Sequence, residues 1–339
     1  MPVETLPQES STELIPELGH FLSPSALWIP ERIVPSAWME HGPFAFWAIE
    51  ALRPSVVVEL GSYAGYSYAA FCQAVLRLGL KTRCFAVDTW QGDEHGGFYE
   101  DSIYAELHAY NQERYSGFST LIRSTFEDAL QYFEDGSVDL LHIDGRHFYE
   151  DVKYDFESWL PKLSGRAVVL FHDTNVRERD LGVFRLWAEV QGKYPSFEFV
   201  HGNGLGVLAI GPDIPRSIKP LLDAASTPTA GRIRNIYSQL GAAIKCKFDL
   251  GQARTQHSAY IKNLEEERAR LESELQLQSV APDESHRAKD AEIESLQAKL
   301  NFVQQRLEGL NVSFQVDHDA IEDLRGRLQG TANGGPDVE

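Results

Sequence analysis

Short apolar runs alternate with helix-period stripes over residues 36–211, which predicts an α/β domain with a doubly wound, seven-stranded, mostly parallel sheet and a reversed terminal strand. A glycine-bearing turn follows the first of these runs. A sustained heptad pattern begins after residue 250 and predicts a C-terminal α-helical coiled coil.

Residues 1–35 are rich in Pro, Ser and Glu around Phe21, Leu27, Trp28 and Ile29, as expected of a flexible N-terminal lead with one docking patch. Val56–Leu60, 84–87, 120–123, Val138–Ile143 and 167–171 are continuous apolar runs of the kind buried on both faces of a parallel sheet. Between the last two, Tyr149, Val152, Phe156, Trp159 and Leu163 recur at spacings of three and four, predicting a helix over 148–163. Strands at 197–200 and 206–210 are joined by His201-Gly202-Asn203-Gly204, a turn so short that it permits only an antiparallel pair. Residues 212–250 carry Pro212, Pro215, Pro220 and Pro228 and are expected to be a linker and helix.

The coiled coil is expected over 251–329. Ile293, Leu296, Leu300, Val303, Leu307, Leu310, Phe314, Ile321, Leu324 and Leu328 fill ten of eleven consecutive a and d positions, broken by Asp317. A shorter register (Ile261, Leu264, Leu271, Leu275) precedes Pro282. The same pattern would also serve a helical hairpin folded against the α/β domain. Residues 330–339 are expected to be a disordered tail.

Composition narrows the function. With 31 Lys and Arg against 50 Asp and Glu the net charge is −19, which disfavours any partner held through phosphates, nucleic acid included. Cys72, Cys84 and Cys246 are far apart and form no CxxC pair, so they are expected to be free thiols of a reducing compartment. Glu4, Glu9, Glu13 and Glu17 precede any apolar run, so no signal peptide is expected. No stretch approaches the ~20 apolar residues of a membrane span. The expectation is a soluble, cytoplasmic protein.

The first run leads into Glu59-Leu60-Gly61-Ser62-Tyr63-Ala64-Gly65-Tyr66-Ser67 and a helix. The glycines allow a sharp turn and close approach of a ligand. Their spacing is not the GxGxxG fingerprint of dinucleotide binding, and a pyrophosphate would avoid Glu59. A cationic ligand with an amino-acid end would favour it. Asp88 ends the second strand, where an acid can accept hydrogen bonds from ribose hydroxyls.

An E-x-G-x-x-x-G-x-S turn followed by a strand-terminal acid resembles the class I S-adenosylmethionine-dependent methyltransferases, which are Rossmann-like, over residues 38–211. The resemblance implies that Glu59, Gly61, Ser62 and Gly65 line the methionine end of the cofactor, Asp88 the ribose, and Thr125 and Phe126 the adenine. The fourth strand ends in Ile143-Asp144-Gly145-Arg146-His147 and the fifth in Phe171-His172-Asp173-Thr174. Both lie at the carboxyl edge of a parallel sheet, where ligands bind. Asp144, His172 and Asp173 could therefore share one divalent cation, Mg²⁺ or Mn²⁺, with His147 as general base. The Asp-x-x-His element resembles metal-dependent sugar O-methyltransferases of the macrocin O-methyltransferase type, with His172 where relatives often carry a carboxylate.

A long segment, 89–119, joins the second and third strands. Trp90, Gly92, Asp93, Glu94, His95, Gly96, Gly97, Phe98 and Tyr99 suit a mobile cover whose aromatics pack on sugars. The run from Asp88 to Asp93 resembles methyltransferases of bacterial glycan assembly. The function expected is thus metal-assisted O-methylation of a sugar hydroxyl on a polysaccharide or glycoconjugate, with the coiled coil making a homo-oligomer or docking a glycosyltransferase partner. The competing readings are a non-catalytic coiled-coil scaffold and a methyltransferase of another small-molecule or protein acceptor. Asp151 and Asp155, four apart on one helix face, are expected to be solvated.

Overall fold

The computed structural model describes residues 19–93, 97–178, 180–280 and 291–309. The chain divides into two compact units, residues 1–248 and 249–339. The first is built on strands β1 (Val56–Leu60), β2 (Arg83–Asp88), β3 (Ser119–Arg123), β4 (Val138–Ile143), β5 (Leu163–His172), β6 (Ser196–Phe199) and β7 (Leu205–Ala209). Their spatial order is β3-β2-β1-β4-β5-β7-β6. The pairs from β3 to β5 are parallel, and β7 runs antiparallel to both β5 and β6. Strand order reverses between β1 and β4, which opens a crevice at their carboxyl ends.

Helices α1 (Gly42–Leu52), α2 (Tyr66–Arg77), α3 (Asp101–Arg114), α4 (Phe126–Ala129), α5 (Tyr149–Trp159), α6 (Val183–Val190) and α7 (Lys219–Ala224) surround the sheet. Alternate strand residues face opposite layers. Val57, Leu140 and Leu170 pack with Phe44, Phe71 and Tyr237, whereas Val58, Leu141 and Phe171 pack with Phe156, Trp159 and Trp187. Helix α5 stops at Trp159 because Pro161 cannot continue it, and a 3₁₀ turn over Leu160–Lys162 leads into β5.

Two boundaries differ from the sequence expectation. Of the lead, residues 19–35 dock on the α/β unit, with Phe21 and Ala26 in its core. The expected linker buries Ile218, Leu221 and Leu222, and the first turns of α8 (Thr229–Val280) bury Ile233, Tyr237 and Ile244. The Tyr237 hydroxyl donates to the Phe21 carbonyl at 2.7 Å. Prolines marked irregular backbone there, but the apolar residues between them supply a further layer. Residues 1–18, Glu94, His95, Gly96, Pro282, the heptad positions from Leu310 to Leu328 and the 330–339 tail lie outside the described residues.

In the second unit the two heptad registers meet each other. Leu264 and Leu271 of α8 cluster with Leu296, Val303 and Leu307 of helix α9 (residues 291–309). The Arg306 guanidinium stands 5.9 Å over the Tyr260 ring, so the two helices run antiparallel. Among the described residues the a and d seam therefore closes within one chain. No helix among them is long and apolar enough to cross a membrane.

Asp151 and Asp155 part company. Asp151 pairs with Arg146 at 3.4 Å, whereas Asp155 is 8% exposed and shares the buried stripe of Val152, Phe156 and Trp159. Burial, then the Asp151 charge, pushes the Asp155 carboxyl up to about 7. Its folded value lies above its unfolded one, so the stability it costs appears as pH rises above ~4 and is complete above ~7. Asp155→Asn should therefore stabilise the protein at pH 8 by roughly 2–4 kcal/mol and have no such effect at pH 4. Paired denaturant titrations at the two pH values measure this.

Candidate active site

The turn between β1 and α2 is set by its glycines and by Asp88. Gly61 and Gly65 have φ of +86° and +78°, and a Cβ at Gly61 would stand 2.2 Å from the Asp144 carbonyl oxygen. The turn thus lies directly against the end of β4. Asp88 Oδ2 accepts the backbone N–H groups of Ser62 (2.8 Å) and Tyr63 (3.0 Å), and Oδ1 accepts that of Trp90 (2.7 Å). The Trp90 indole N–H donates to the Tyr63 carbonyl at 2.9 Å. Three of the ~4 acceptor sites of the carboxylate are therefore filled by backbone, which leaves room for one further hydroxyl.

Glu59 is fully buried. It accepts from the Ser62 hydroxyl at 2.7 Å and lies 2.8 Å from His142 Nδ1, its register partner on β4.

Two cavities open at the carboxyl edge. One, about 270 Å³, is lined by Gly61, Asp88, Thr89, Thr125, Phe126 and Gly145, among others. Thr125 caps α4 by accepting the Asp128 N–H, and the Phe126 ring fills the space a Cβ at Gly145 would need. The other, about 300 Å³, is lined by Pro35 to Trp38, Ser62, Gly65, Tyr66, His172 and Asp173. Gly61, Tyr63, Tyr99, Asp144 and His147 belong to both. The Tyr63 and Tyr99 rings lie 4.7 Å apart at this junction. Glu59 lines neither cavity.

Where the cavities meet, β4 and β5 bring four titratable groups together. His147 Nε2 lies 3.3 Å from Asp144 Oδ1 and 3.0 Å from Asp173 Oδ2. His172 Nδ1 lies 3.0 Å from Asp144 Oδ1 and 3.5 Å from Asp173 Oδ1. Its Nε2 faces the Gly202 carbonyl at 3.2 Å, which that ring shares with His41 Nε2 at 2.9 Å. Asp173 has φ of +60°, a strained conformation for a residue with a side chain, and its Oδ1 is buried with no hydrogen-bond partner among the described residues.

Donor atoms of Asp144, His147 and Asp173 lie within 4.8 Å of one another, close enough to ligate one ion. Two carboxylates and one imidazole suit a divalent cation. The sequence placed His172 in this set and His147 outside it. In the structure His147 Nε2 lies against both carboxylates, while His172, 2% exposed, lines the second cavity and approaches Asp144 Oδ1 at 3.0 Å and Asp173 Oδ1 at 3.5 Å.

Electrostatics reinforces the cluster. Burial works against both carboxylates, but His172 and His147 hold Asp144 well below, and Asp173 below, the usual carboxylate range. Burial likewise opposes charge on His147, yet its hydrogen bonds to Asp144 and Asp173 raise it to about 10. His172 is also raised against burial by Asp144 and Asp173. His41, fully buried beside His172 and His201, is pushed well down.

Sequence reasoning missed the segment from Pro35 to Trp38 as a wall of the second cavity, because only tertiary packing brings it to the sheet edge. It also missed Tyr63, Thr89, Gly145 and Arg146, although all four flank motifs already singled out.

Residues 58–174 match the family model described as a methyltransferase domain. A stretch of 186 residues, 55% of the chain, is 58% identical to "Uncharacterized protein y4gI" of Sinorhizobium fredii. The match spans 20% of that relative's length. Among solved structures, the O-methyltransferase TomG of Streptomyces achromogenes, in complex with S-adenosylmethionine, is 15% identical with a TM-score of 0.39, covering 54% of this chain and 83% of that one. The S-adenosylhomocysteine-bound methyltransferase PaMTH1 of Podospora anserina is 15% identical with a TM-score of 0.41, covering 62% and 98%.

Proposed function

We propose that the chain is an S-adenosylmethionine-dependent O-methyltransferase that methylates a sugar hydroxyl of a polysaccharide or glycoconjugate with the help of a divalent cation. The observation that carries this reading is the Asp144 and Asp173 carboxylate pair, with His147 Nε2 set against both, at the junction of two cavities. The first cavity suits the nucleoside end of the cofactor, with Asp88 accepting one ribose hydroxyl and Phe126 beside the base. The second suits the acceptor, its Tyr63 and Tyr99 faces fitting the C–H surface of a sugar ring.

When bound, the cofactor supplies a sulfonium methyl group, and a cation held by Asp144 and Asp173 supplies charge that favours the alkoxide form of the acceptor. The chain's own residues do the rest. The shared wall of Gly61, Tyr63 and Tyr99 sets the two cavities side by side, so an acceptor held in one would present its hydroxyl to a cofactor held in the other. His147 Nε2 takes the hydroxyl proton. With both carboxylates free it is already protonated at neutral pH, because their hydrogen bonds raise it to about 10. Neutralising Asp144 and Asp173 relaxes that hold and returns the imidazole toward the range a base needs.

The test is to incubate the protein with labelled S-adenosylmethionine and a panel of glycans, with Mn²⁺ or with excess chelator. Metal-dependent transfer to a glycan hydroxyl supports the reading. Transfer that is indifferent to chelator, or confined to non-sugar acceptors, refutes the corresponding part.

The cofactor site has its own prediction. Asp88→Asn replaces one acceptor oxygen by an amide that faces backbone N–H groups, so the turn loses its organiser together with a ribose partner. Cofactor affinity should fall by roughly 2–3 kcal/mol in calorimetry, and an unchanged affinity would remove Asp88 from the site.

A further inference from the structure

The N-terminal segment contributes more than a cavity wall. The buried Gln73 of α2 holds it by two hydrogen bonds, donating to the Ile29 carbonyl at 3.0 Å and accepting the Glu31 N–H at 2.9 Å. Trp28 lies under the Arg77 guanidinium at 4.1 Å. From this anchored stretch two side chains reach out. Glu31 pairs with Arg114 at the end of α3. Arg32 Nε donates to the Ala64 carbonyl at 2.9 Å, inside the Gly61–Gly65 turn. Its guanidinium also stands 5.0 Å over the Tyr110 ring of α3, which the Arg114 guanidinium approaches at 5.2 Å.

Helix α3 meets the same turn from another side. A Cβ at Gly65 would stand 2.3 Å from Leu107 Cδ1, so the helix seats directly on the glycine. Tyr99, which lines both cavities, lies two residues before α3 begins. The turn, α3 and the Tyr63–Tyr99 pair are thus linked, and two side chains touch both the turn and the helix: Arg32 from the N-terminal segment, and Trp90, whose indole donates to the Tyr63 carbonyl and packs on the Tyr104 ring at 4.9 Å.

We propose that Arg32 is a positioning residue for the cofactor turn: the strap formed by residues 28–32 pins Ala64 and Tyr110 together, holding the turn and α3 in the arrangement that receives S-adenosylmethionine. This rests on the reading of the turn as the cofactor site. Arg32 itself touches no reacting atom. Its work is to keep the Ala64 carbonyl engaged, so that the Ser62 and Tyr63 N–H groups stay directed at Asp88. The fork geometry matters, because one planar group both donates to the turn and stacks on the helix. An ammonium in its place can do only part of this.

The experiment uses the full chain as wild type, Arg32→Ala and Arg32→Lys. Hydrogen exchange without ligand is expected to speed up over residues 61–66 and 101–114 by roughly tenfold in Arg32→Ala and less in Arg32→Lys. The S-adenosylmethionine dissociation constant and KM should rise by roughly tenfold in Arg32→Ala, with kcat at saturation unchanged and partial rescue in Arg32→Lys. If Arg32→Ala fails to fold, Arg32→Lys decides, with an expected rise of roughly threefold. Wild-type exchange in the variants overturns the strap. Faster exchange with unchanged affinity overturns the positioning role. A wild-type chain that takes up no S-adenosylmethionine overturns the cofactor reading, and the positioning role with it, while the exchange data still report on the strap separately.

Discussion

Asp173→Asn should lower turnover by roughly 10³-fold and abolish the response to added Mn²⁺, while leaving cofactor affinity within about twofold of wild type. Asn is the right replacement because Asp173 holds φ of +60°, a conformation that Asn tolerates better than most side chains. The variant therefore removes charge and keeps the backbone. Asp173 lines the second cavity and not the first, so the nucleoside site is untouched. A second readout needs no acceptor. In the metal-free protein the hydrogen bonds from Asp144 and Asp173 keep His147 protonated at neutral pH. A cation binding between them should expel about one proton, detected as a buffer-dependent heat in calorimetry at pH 7.5. In Asp173→Asn both the heat and the proton release should vanish. Turnover that survives in Asp173→Asn, or in excess chelator, would take the cation out of the chemistry.

Much of this site was legible in the sequence, and the parts that were not share a cause. Strand ends are local signals: Asp88, Asp144 and Asp173 each terminate an apolar run, and a parallel sheet necessarily gathers such ends on one edge. That is why the carboxylates and the glycine turn reach the cavities as their place at strand ends suggested, and why Thr125 and Phe126, which only the family resemblance singled out, lie beside them. Orientation is not local. Glu59 belongs to β1 as expected, but register places it opposite His142 on β4, and the two satisfy each other inside the sheet. The roles of His147 and His172 likewise depend on what holds each ring, since both line the second cavity. The Gly202 carbonyl, thirty residues later in the hairpin turn, holds His172 Nε2, a partner that no local pattern announces. The unit boundary failed for a related reason. Pro212, Pro215 and Pro220 do break the chain, yet Ile218 and Leu221 between them are buried, and no periodicity of the linker announces the surface that covers them.

His147→Ala should lower turnover by roughly 10²–10⁴-fold, the usual worth of a general base, and should remove the acid limb of the pH–rate profile. The structure sharpens what that limb means. With both carboxylates free, His147 stays protonated up to about pH 10 and the enzyme should be idle at neutral pH. With a cation between Asp144 and Asp173 the imidazole no longer serves as their counter-charge, so the limb should move to lower pH as Mn²⁺ rises toward saturation. A limb that shifts with metal concentration in the wild type and is absent from His147→Ala identifies the titrating group as His147. The same variant separates two uses of the ring. If His147 is the base, calorimetry should still show Mn²⁺ binding in His147→Ala, with less proton release because the ring that carried the proton is gone. If its Nε2 is instead a required ligand, alongside the Asp144 and Asp173 carboxylates, metal affinity should collapse together with turnover, and saturating Mn²⁺ should restore part of the rate. Equal turnover in wild type and His147→Ala at every pH would leave the ring as a counter-ion for two buried carboxylates and end its part in the chemistry.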